Sequence, residues 1–293
     1  MNRVLRPFAY TRAAVAWPYI AAVIALVCAA LWVLWLVPPG QGSGMRLALR
    51  GGALCAAATA IGALPVLVMR TIPQRLADGL LGFGAGVMLA ATAFSLVLPG
   101  LAAAETQGFS PWSAAGLVSV GILLGAFALL ALDRGLVDDP LDAQRRLVPS
   151  RVMLFVLAIV LHNIPEGMAV GVAAGGALSG AAGLAIGIAL QDVPEGLVVA
   201  LVLATAGMAR SKAVFLGALS GVAEPLAAIP SAWAVGISSV LLPWGLAFAA
   251  GAMLIAVGYS VIPESNRHGH GGIASFGLAL GFCLMMVLDT ALG

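Results

Sequence analysis

Two copies of one short polar motif carry most of the chemistry available to this chain. The first, HNIPEG, occupies residues 162–167, and the second, QDVPEG, occupies residues 191–196. Each lies inside an apolar run long enough to cross a bilayer, where an ionisable side chain is costly and by default marks a functional site. In a helix, positions i, i+1 and i+4 share one face, so each motif predicts one polar stripe. The stripes consist of His162, Asn163 and Glu166, and of Gln191, Asp192 and Glu195.

The donor atoms of the two stripes favour a bound divalent cation. No Lys or Arg occurs between Arg151 and Arg210, so no cationic side chain from these segments can neutralise the acids. The acids must then be neutralised by protonation or by a bound cation. A mixed set of acids, amides and one imidazole suits zinc, iron(II), manganese or cadmium better than magnesium. The alternative is a packed bundle in which the acids are protonated and His162 hydrogen-bonds to Glu166.

A proline precedes the glutamate in each motif. Pro165 and Pro194 each remove an amide donor and free the carbonyl four residues earlier in the helix. A helix with a spare carbonyl beside polar side chains is a common element of ion sites in transporters. If the two stripes face each other, they enclose a cage of oxygens and one imidazole.

The composition is that of an all-α polytopic membrane protein. Hydrophobic residues make up 62% of the chain and charged residues 9%, with a mean hydropathy of +1.08. Residues 1–45 are predicted to hold an accessory helix at about 18–37, which is too long for a signal peptide. Residues 46–293 form an eight-helix core with spans at about 46–69, 79–103, 113–133, 151–176, 179–207, 212–236, 240–262 and 272–291. The cysteines at 28, 55 and 283 have no metal or disulfide spacing and are interpreted as packing residues.

The distribution of Lys and Arg predicts how nine spans are oriented. Only two basic residues, Arg46 and Arg50, fall on the side opposite the N-terminus, which indicates a cytoplasmic N-terminus and an external C-terminus in a cell inner membrane. The twelve on the N-terminal side are Arg3, Arg6, Arg12, Arg70, Arg75, Arg134, Arg145, Arg146, Arg151, Arg210, Lys212 and Arg267.

Internal matches predict inverted repeats around the motif helices. Residues 82–95 match 247–260, and Gly121 and Gly125 fall on Gly277 and Gly281 with one constant offset. A weaker match overlays residues 64–65 on 224–225. The result is a three-two-three arrangement whose matching spans run in opposite directions, which is typical of transporters with a mid-membrane site.

These motifs, with Glu224-Pro225 on the following helix, resemble the ZIP (Zrt/Irt-like) divalent metal transporters, bacterial branch, over roughly residues 47–293. The resemblance implies a binuclear site bridged by Glu166 and Glu195, cation uptake toward the cytoplasm and often a homodimer. One implied metal position involves Met88, His162, Glu166, Gln191 and Glu195. The other involves Asn163, Glu166, Asp192, Glu195 and Glu224.

Three further residues have open roles. His268 and His270 near Glu264 either receive an exiting metal or sit in a solvated turn, and Asp289 either caps a helix or lies at an external entrance. Some bacterial relatives have a His-Glu pair where this chain has Tyr259-Ser260.

We predict a transporter of divalent transition-metal cations into the cytoplasm, zinc above cadmium, iron and manganese. No enzyme activity, cofactor or nucleic-acid partner is expected; the partners are membrane lipid, the metal ions and a second copy of the chain. An intramembrane metalloprotease would need paired histidines at helical spacing, whereas His162 is the only histidine in a span. The alternative is a proton-coupled carrier of an organic substrate that uses the same acids as proton relays.

Overall fold

The computed structural model describes residues 10–36, 43–69, 72–137 and 151–292, and these residues form nine helical spans without a strand. Eight of the spans contain, within the described residues, an apolar stretch long enough to cross a membrane; the ninth, α5, carries the first motif. The predicted all-α polytopic fold is confirmed. The spans are α1 (Tyr10–Leu36), α2 (Gly44–Leu67), α3 (Gln74–Thr106), α4 (Pro111–Val137), α5 (Arg151–Gly175), α6 (Ala181–Thr205), α7 (Arg210–Ile237), α8 (Leu241–Asn266) and α9 (Gly271–Leu292).

The helix packing follows the predicted three-two-three pattern. Helix α3 packs mainly on α9, and its counterpart α8 packs on α4; likewise α2 packs on α6, and the second half of α7 packs on α5. A π-helical segment interrupts α3 at Ala91–Val97, and another interrupts α8 at Ala256–Val261. If α2, α3 and α4 are exchanged with α7, α8 and α9, and α5 with α6, each of these helix pairs becomes another of the pairs. The two triplets are therefore inverted repeats on either side of α5 and α6.

Glycines at equivalent positions let the backbones of the paired helices touch. A Cβ added at Gly86 of α3 would lie 1.9 Å from the Leu278 carbonyl oxygen of α9. A Cβ added at Gly251 of α8 would lie 1.9 Å from the Ile122 carbonyl oxygen of α4. Small residues at helix contacts are the usual way in which membrane helices pack closely, so the repeated glycines reflect one repeated contact.

The weaker sequence match, residues 64–65 on 224–225, is wrong. Gly167 packs against the backbone of Glu224, and Gly196, at the same position of the second motif, packs against the backbone of Thr59. Thr59 of α2 is therefore the counterpart of Glu224 in α7, with the same sequence offset that relates Gly86 to Gly251. A single shared proline suggested the false match; the backbone contacts fix the true one.

Three exposed tryptophans lie near one end of the bundle. Trp35, Trp112 and Trp233 are more than half exposed, and each lies near the end of its span on the side where α1 ends and α4 begins. Tryptophan is enriched at membrane–water interfaces, so these rings are expected to lie at the lipid headgroup level. They lie at the end of the bundle opposite to Arg267, whereas Trp17, which is also exposed, lies near the beginning of α1 at the other end.

Candidate metal centre

The two motifs remain helical through their prolines. Helices α5 and α6 are each 25 residues long and contain Pro165 and Pro194 in their interiors. The i, i+1, i+4 spacing predicted from the sequence is therefore kept. Within the stripes His162 and Glu195 are half-buried, and the fully buried members are Asn163, Glu166, Gln191 and Asp192.

Three carboxylates from the motifs converge between α5 and α6. One oxygen from each of Glu166, Asp192 and Glu195 lies within 4.8 Å of the other two. The amide Nε2 of Gln191 donates to Glu166 Oε1 at 2.5 Å, to Asp192 Oδ1 at 3.0 Å and, at 3.4 Å, to Glu195 Oε2. An amide group has only two hydrogens for these three acceptors. Carboxylates this close repel one another unless protons or a cation compensate them.

A fourth carboxylate reaches the same region from α7. Glu224 is fully buried, and Thr59 of α2 donates to its Oε1 at 3.3 Å. One carboxylate oxygen each from Glu224 and Asp192 also lies within 4.8 Å of Cys55 Sγ, which projects from α2. Four helices thus contribute donor atoms to one buried cluster.

The buried cluster contains oxygens without hydrogen-bond partners among the described residues. They belong to four side chains: Asn163 Oδ1, Glu166 Oε2, Asp192 Oδ2 and Glu224 Oε2. A buried polar oxygen without a partner costs folding free energy, and a charged one costs much more. Arg267 pairs with Glu264, and His268 and His270 pair with Asp78, so these basic groups compensate acids outside the cluster. These oxygens are suited to binding a cation.

A cavity of about 860 Å³ runs from this cluster to one end of the bundle. Its inner wall includes Met88, His162, Gln191 and Glu195, and its other end is lined by Arg267, whose side chain is 71% exposed. The walls do not include Asn163, Glu166, Asp192 and Glu224, all of which are at most 1% exposed. One group of donor residues faces the cavity, and the other group is enclosed behind it.

His268 and His270 lie in the partly exposed turn between α8 and α9, as one of the two alternatives predicted, and both have a partner in α3. Their Nδ1 atoms lie 3.2 Å from Oδ1 and 2.8 Å from Oδ2 of Asp78, a fully buried residue in the first turns of α3. The two histidines therefore tie the α8–α9 connection to α3 at the mouth of the cavity. Asp289 does not cap its own helix: its Oδ1 accepts a hydrogen bond of 2.6 Å from Ser95 Oγ in α3.

Comparison with known proteins decides the family. A family model described as "ZIP Zinc transporter" matches residues 139–289, just over half of the chain. The chain belongs to the ZIP family. Zinc transporter ZIPB of Bordetella bronchiseptica is 48% identical, the match covering 84% of this chain and 81% of the relative. Zinc transporter GufA of Myxococcus xanthus is 40% identical, with 86% and 100% covered. Zinc transporter ZIP11 of Homo sapiens is 34% identical, with 80% and 94% covered.

Membership of the ZIP family makes this chain a multi-pass membrane transporter of divalent metal and not an enzyme. The structure adds three residues, two beside the metal centre and one at the mouth of the cavity, that the sequence analysis missed or interpreted otherwise. Cys55 had been interpreted as a packing residue, and Thr59 and Asp78 had not been singled out. All three lie far along the chain from the motifs, so only the repeat relation, correctly aligned, could have pointed to Thr59.

Proposed function

We propose that this ZIP transporter carries divalent transition-metal cations into the cytoplasm through a mid-membrane centre with two metal positions. The first position is formed by Met88, His162, Glu166, Gln191 and Glu195. The second is formed by Asn163, Glu166, Asp192, Glu195 and Glu224. Glu166 and Glu195 bridge the two.

The observation that carries the proposal is the convergence of Glu166, Asp192 and Glu195. Their oxygens lie within 4.8 Å of one another, and oxygens of Glu166 and Asp192 have no partner in the described part of the chain. A divalent cation supplies the compensating charge and the missing contacts at once. Buried ligands that must be deprotonated to bind can also release the ion when protons or water reach them.

The cavity supports a direction of transport. It joins the first position to the end of the bundle that carries Arg267, Arg210 and Lys212, which the positive-inside rule assigns to the cytoplasm. The second position lies away from this cavity. The described conformation is therefore one from which an ion at the first position leaves toward the cytoplasm.

Zinc is the foremost cargo of this proposal, since the relatives are named zinc transporters and mixed nitrogen and oxygen ligands suit zinc. Cadmium, iron(II) and manganese are expected to bind less well or to compete, because such ligands discriminate weakly among divalent ions. The transporter is expected to act as a homodimer in the cell inner membrane.

Zinc uptake into proteoliposomes tests the proposal. Glu195→Ala removes a bridging ligand, so uptake is expected to fall to the level of protein-free vesicles. Glu105→Ala is the matched control, because Glu105 is an exposed acid near the end of α3. The control should transport at the unmodified rate. Both variants must elute as monodisperse protein after purification. Unmodified uptake by a well-folded Glu195→Ala protein would refute the two-position centre.

A further inference from the structure

Cys55 lies beside the enclosed part of the metal centre. The residue is fully buried in α2, and its Sγ lies within 4.8 Å of a carboxylate oxygen of Asp192 in α6 and of Glu224 in α7. Protein donor atoms bind zinc at about 2.0–2.3 Å in a tetrahedral arrangement, so two donors of one ion lie roughly 3.3–3.8 Å apart. The three atoms lie within 4.8 Å of one another, so a shift of about 1 Å or less brings them to the distances that a single ion requires.

Two oxygens of this group have no hydrogen-bond partner within the described ranges. They are Asp192 Oδ2 and Glu224 Oε2, and their side chains are at most 1% exposed. The Sγ atom donates weakly to the Ala185 carbonyl oxygen, 3.6 Å away, and also faces the carboxylates of Asp192 and Glu224. A thiol is a weak hydrogen-bond donor, so it satisfies these buried carboxylates poorly.

We propose that Cys55 is a thiolate ligand of the second metal position, together with Asp192 and Glu224. The inference rests on the proposed function and deepens it by assigning a soft donor to that position. As the metal binds, a sulfur–metal bond forms, the S–H bond breaks and the proton leaves to solvent. Thiolate favours zinc and cadmium over manganese and magnesium. Cys55 would therefore bias the second position toward the softer ions.

If Cys55 had a role in packing alone, the experiments below would give different results. Cys55 does contact the apolar core around Ala58 and Ala185. If packing were its only task, Cys55→Ala would leave metal preference unchanged, since a small apolar side chain replaces another. Because the sulfur also faces two buried carboxylates, we expect both Cys55→Ala and Cys55→Ser to change that preference.

X-ray absorption at the zinc edge tests the ligand directly. The purified full-length protein, with the exposed Cys28 and Cys283 changed to serine, is loaded with zinc. The protein also carries Met88→Leu in every sample, so that no sulfur ligand at the first position contributes to the spectrum. A sulfur neighbour at about 2.3 Å is expected, and Cys55→Ser should remove it while zinc stays bound. If Cys55→Ser does not fold, Cys55→Ala serves.

The outcomes separate this inference from the proposed function. Zinc bound through nitrogen and oxygen alone in the parent protein would overturn the role of Cys55 and leave the two-position centre standing. A sulfur neighbour that persists in Cys55→Ser would overturn it too. Absence of bound zinc in the parent would overturn both.

Competition uptake gives a second readout. Zinc and manganese are offered together to proteoliposomes, and Cys55→Ser should lower the zinc-to-manganese uptake ratio by about tenfold, the order that loss of a group supporting a metal costs. Cys283→Ser is the matched control, because Cys283 is exposed on α9. Equal ratios in the two variants would contradict the inference.

Discussion

At the residue scale, the buried acid Glu224 is held by a partner that comes from outside the motifs. The Thr59 Oγ1 atom lies 3.3 Å from Glu224 Oε1 and 3.1 Å from the Cys55 carbonyl oxygen, so its single hydrogen is shared between these two acceptors. The sequence predicted the six motif residues, because helical spacing fixes a shared face within one helix. It could not predict Thr59, Cys55 or Asp78, since contacts between distant helices follow from packing and not from local spacing.

Thr59→Val should weaken zinc binding while leaving the fold intact. Valine has nearly the shape of threonine but cannot donate to Glu224, so the carboxylate loses its orientation. Loss of such a supporting hydrogen bond typically lowers metal affinity by about tenfold or more. Competition titration of the purified protein with a zinc chelator measures the affinity.

Thr290→Val is the control for this change, because Thr290 is exposed in α9 and bonds only to the Met286 carbonyl oxygen. Its affinity for zinc should be unaltered. Equal affinities for the two variants would show that Thr59 does not support a ligand.

At the scale of the elements, the glycine of the first motif decides how close Glu224 of α7 lies to α5. A Cβ at Gly167 would sit 2.3 Å from the Glu224 carbonyl oxygen, so α5 and α7 approach this closely only because position 167 has no side chain. The sequence predicted the helices and the inverted repeats from apolar runs and matched glycines. The alignment of α2 with α7 by sequence was wrong, because a match between two prolines does not indicate which helix backbones are in contact.

Gly167→Ala should push α7 away from α5 and displace Glu224 from the centre. Overpacking of this kind costs about 1–3 kcal/mol of stability. We expect a lower melting temperature of the detergent-solubilised protein together with reduced zinc uptake. The melting curve and the uptake assay measure the two effects.

Gly236→Ala is the matched control, since nothing lies within 4 Å of a Cβ added there. Alanine at this helical position should be neutral or slightly stabilising, because glycine is a poor helix former. The packing explanation fails if Gly167→Ala melts and transports like Gly236→Ala.

At the scale of the whole molecule, the cavity is expected to open toward the cytoplasm. The cavity ends at Arg267, whereas Trp35, Trp112 and Trp233 lie near the opposite end. Counting Lys and Arg in the sequence predicts the same sidedness. The sequence could not show which end of the centre is accessible, because that depends on how the helices are tilted in one conformation.

Thiol labelling of whole cells tests the orientation. Single cysteines are introduced at Ser110, between α3 and α4, and at Asn266, the last residue of α8, in protein whose Cys28 and Cys283 are serine. A membrane-impermeant maleimide should label Ser110→Cys in intact cells and Asn266→Cys only after lysis. The reverse pattern would place the cavity mouth outside the cell.

The most direct measurement is anomalous X-ray scattering from zinc-soaked crystals of the intact protein, recorded at the zinc absorption edge. We expect an anomalous peak between α5 and α6, within bonding distance of Glu166 and Glu195. A folded protein in excess zinc with no peak between these helices would contradict the claim that a transported cation compensates the buried acids.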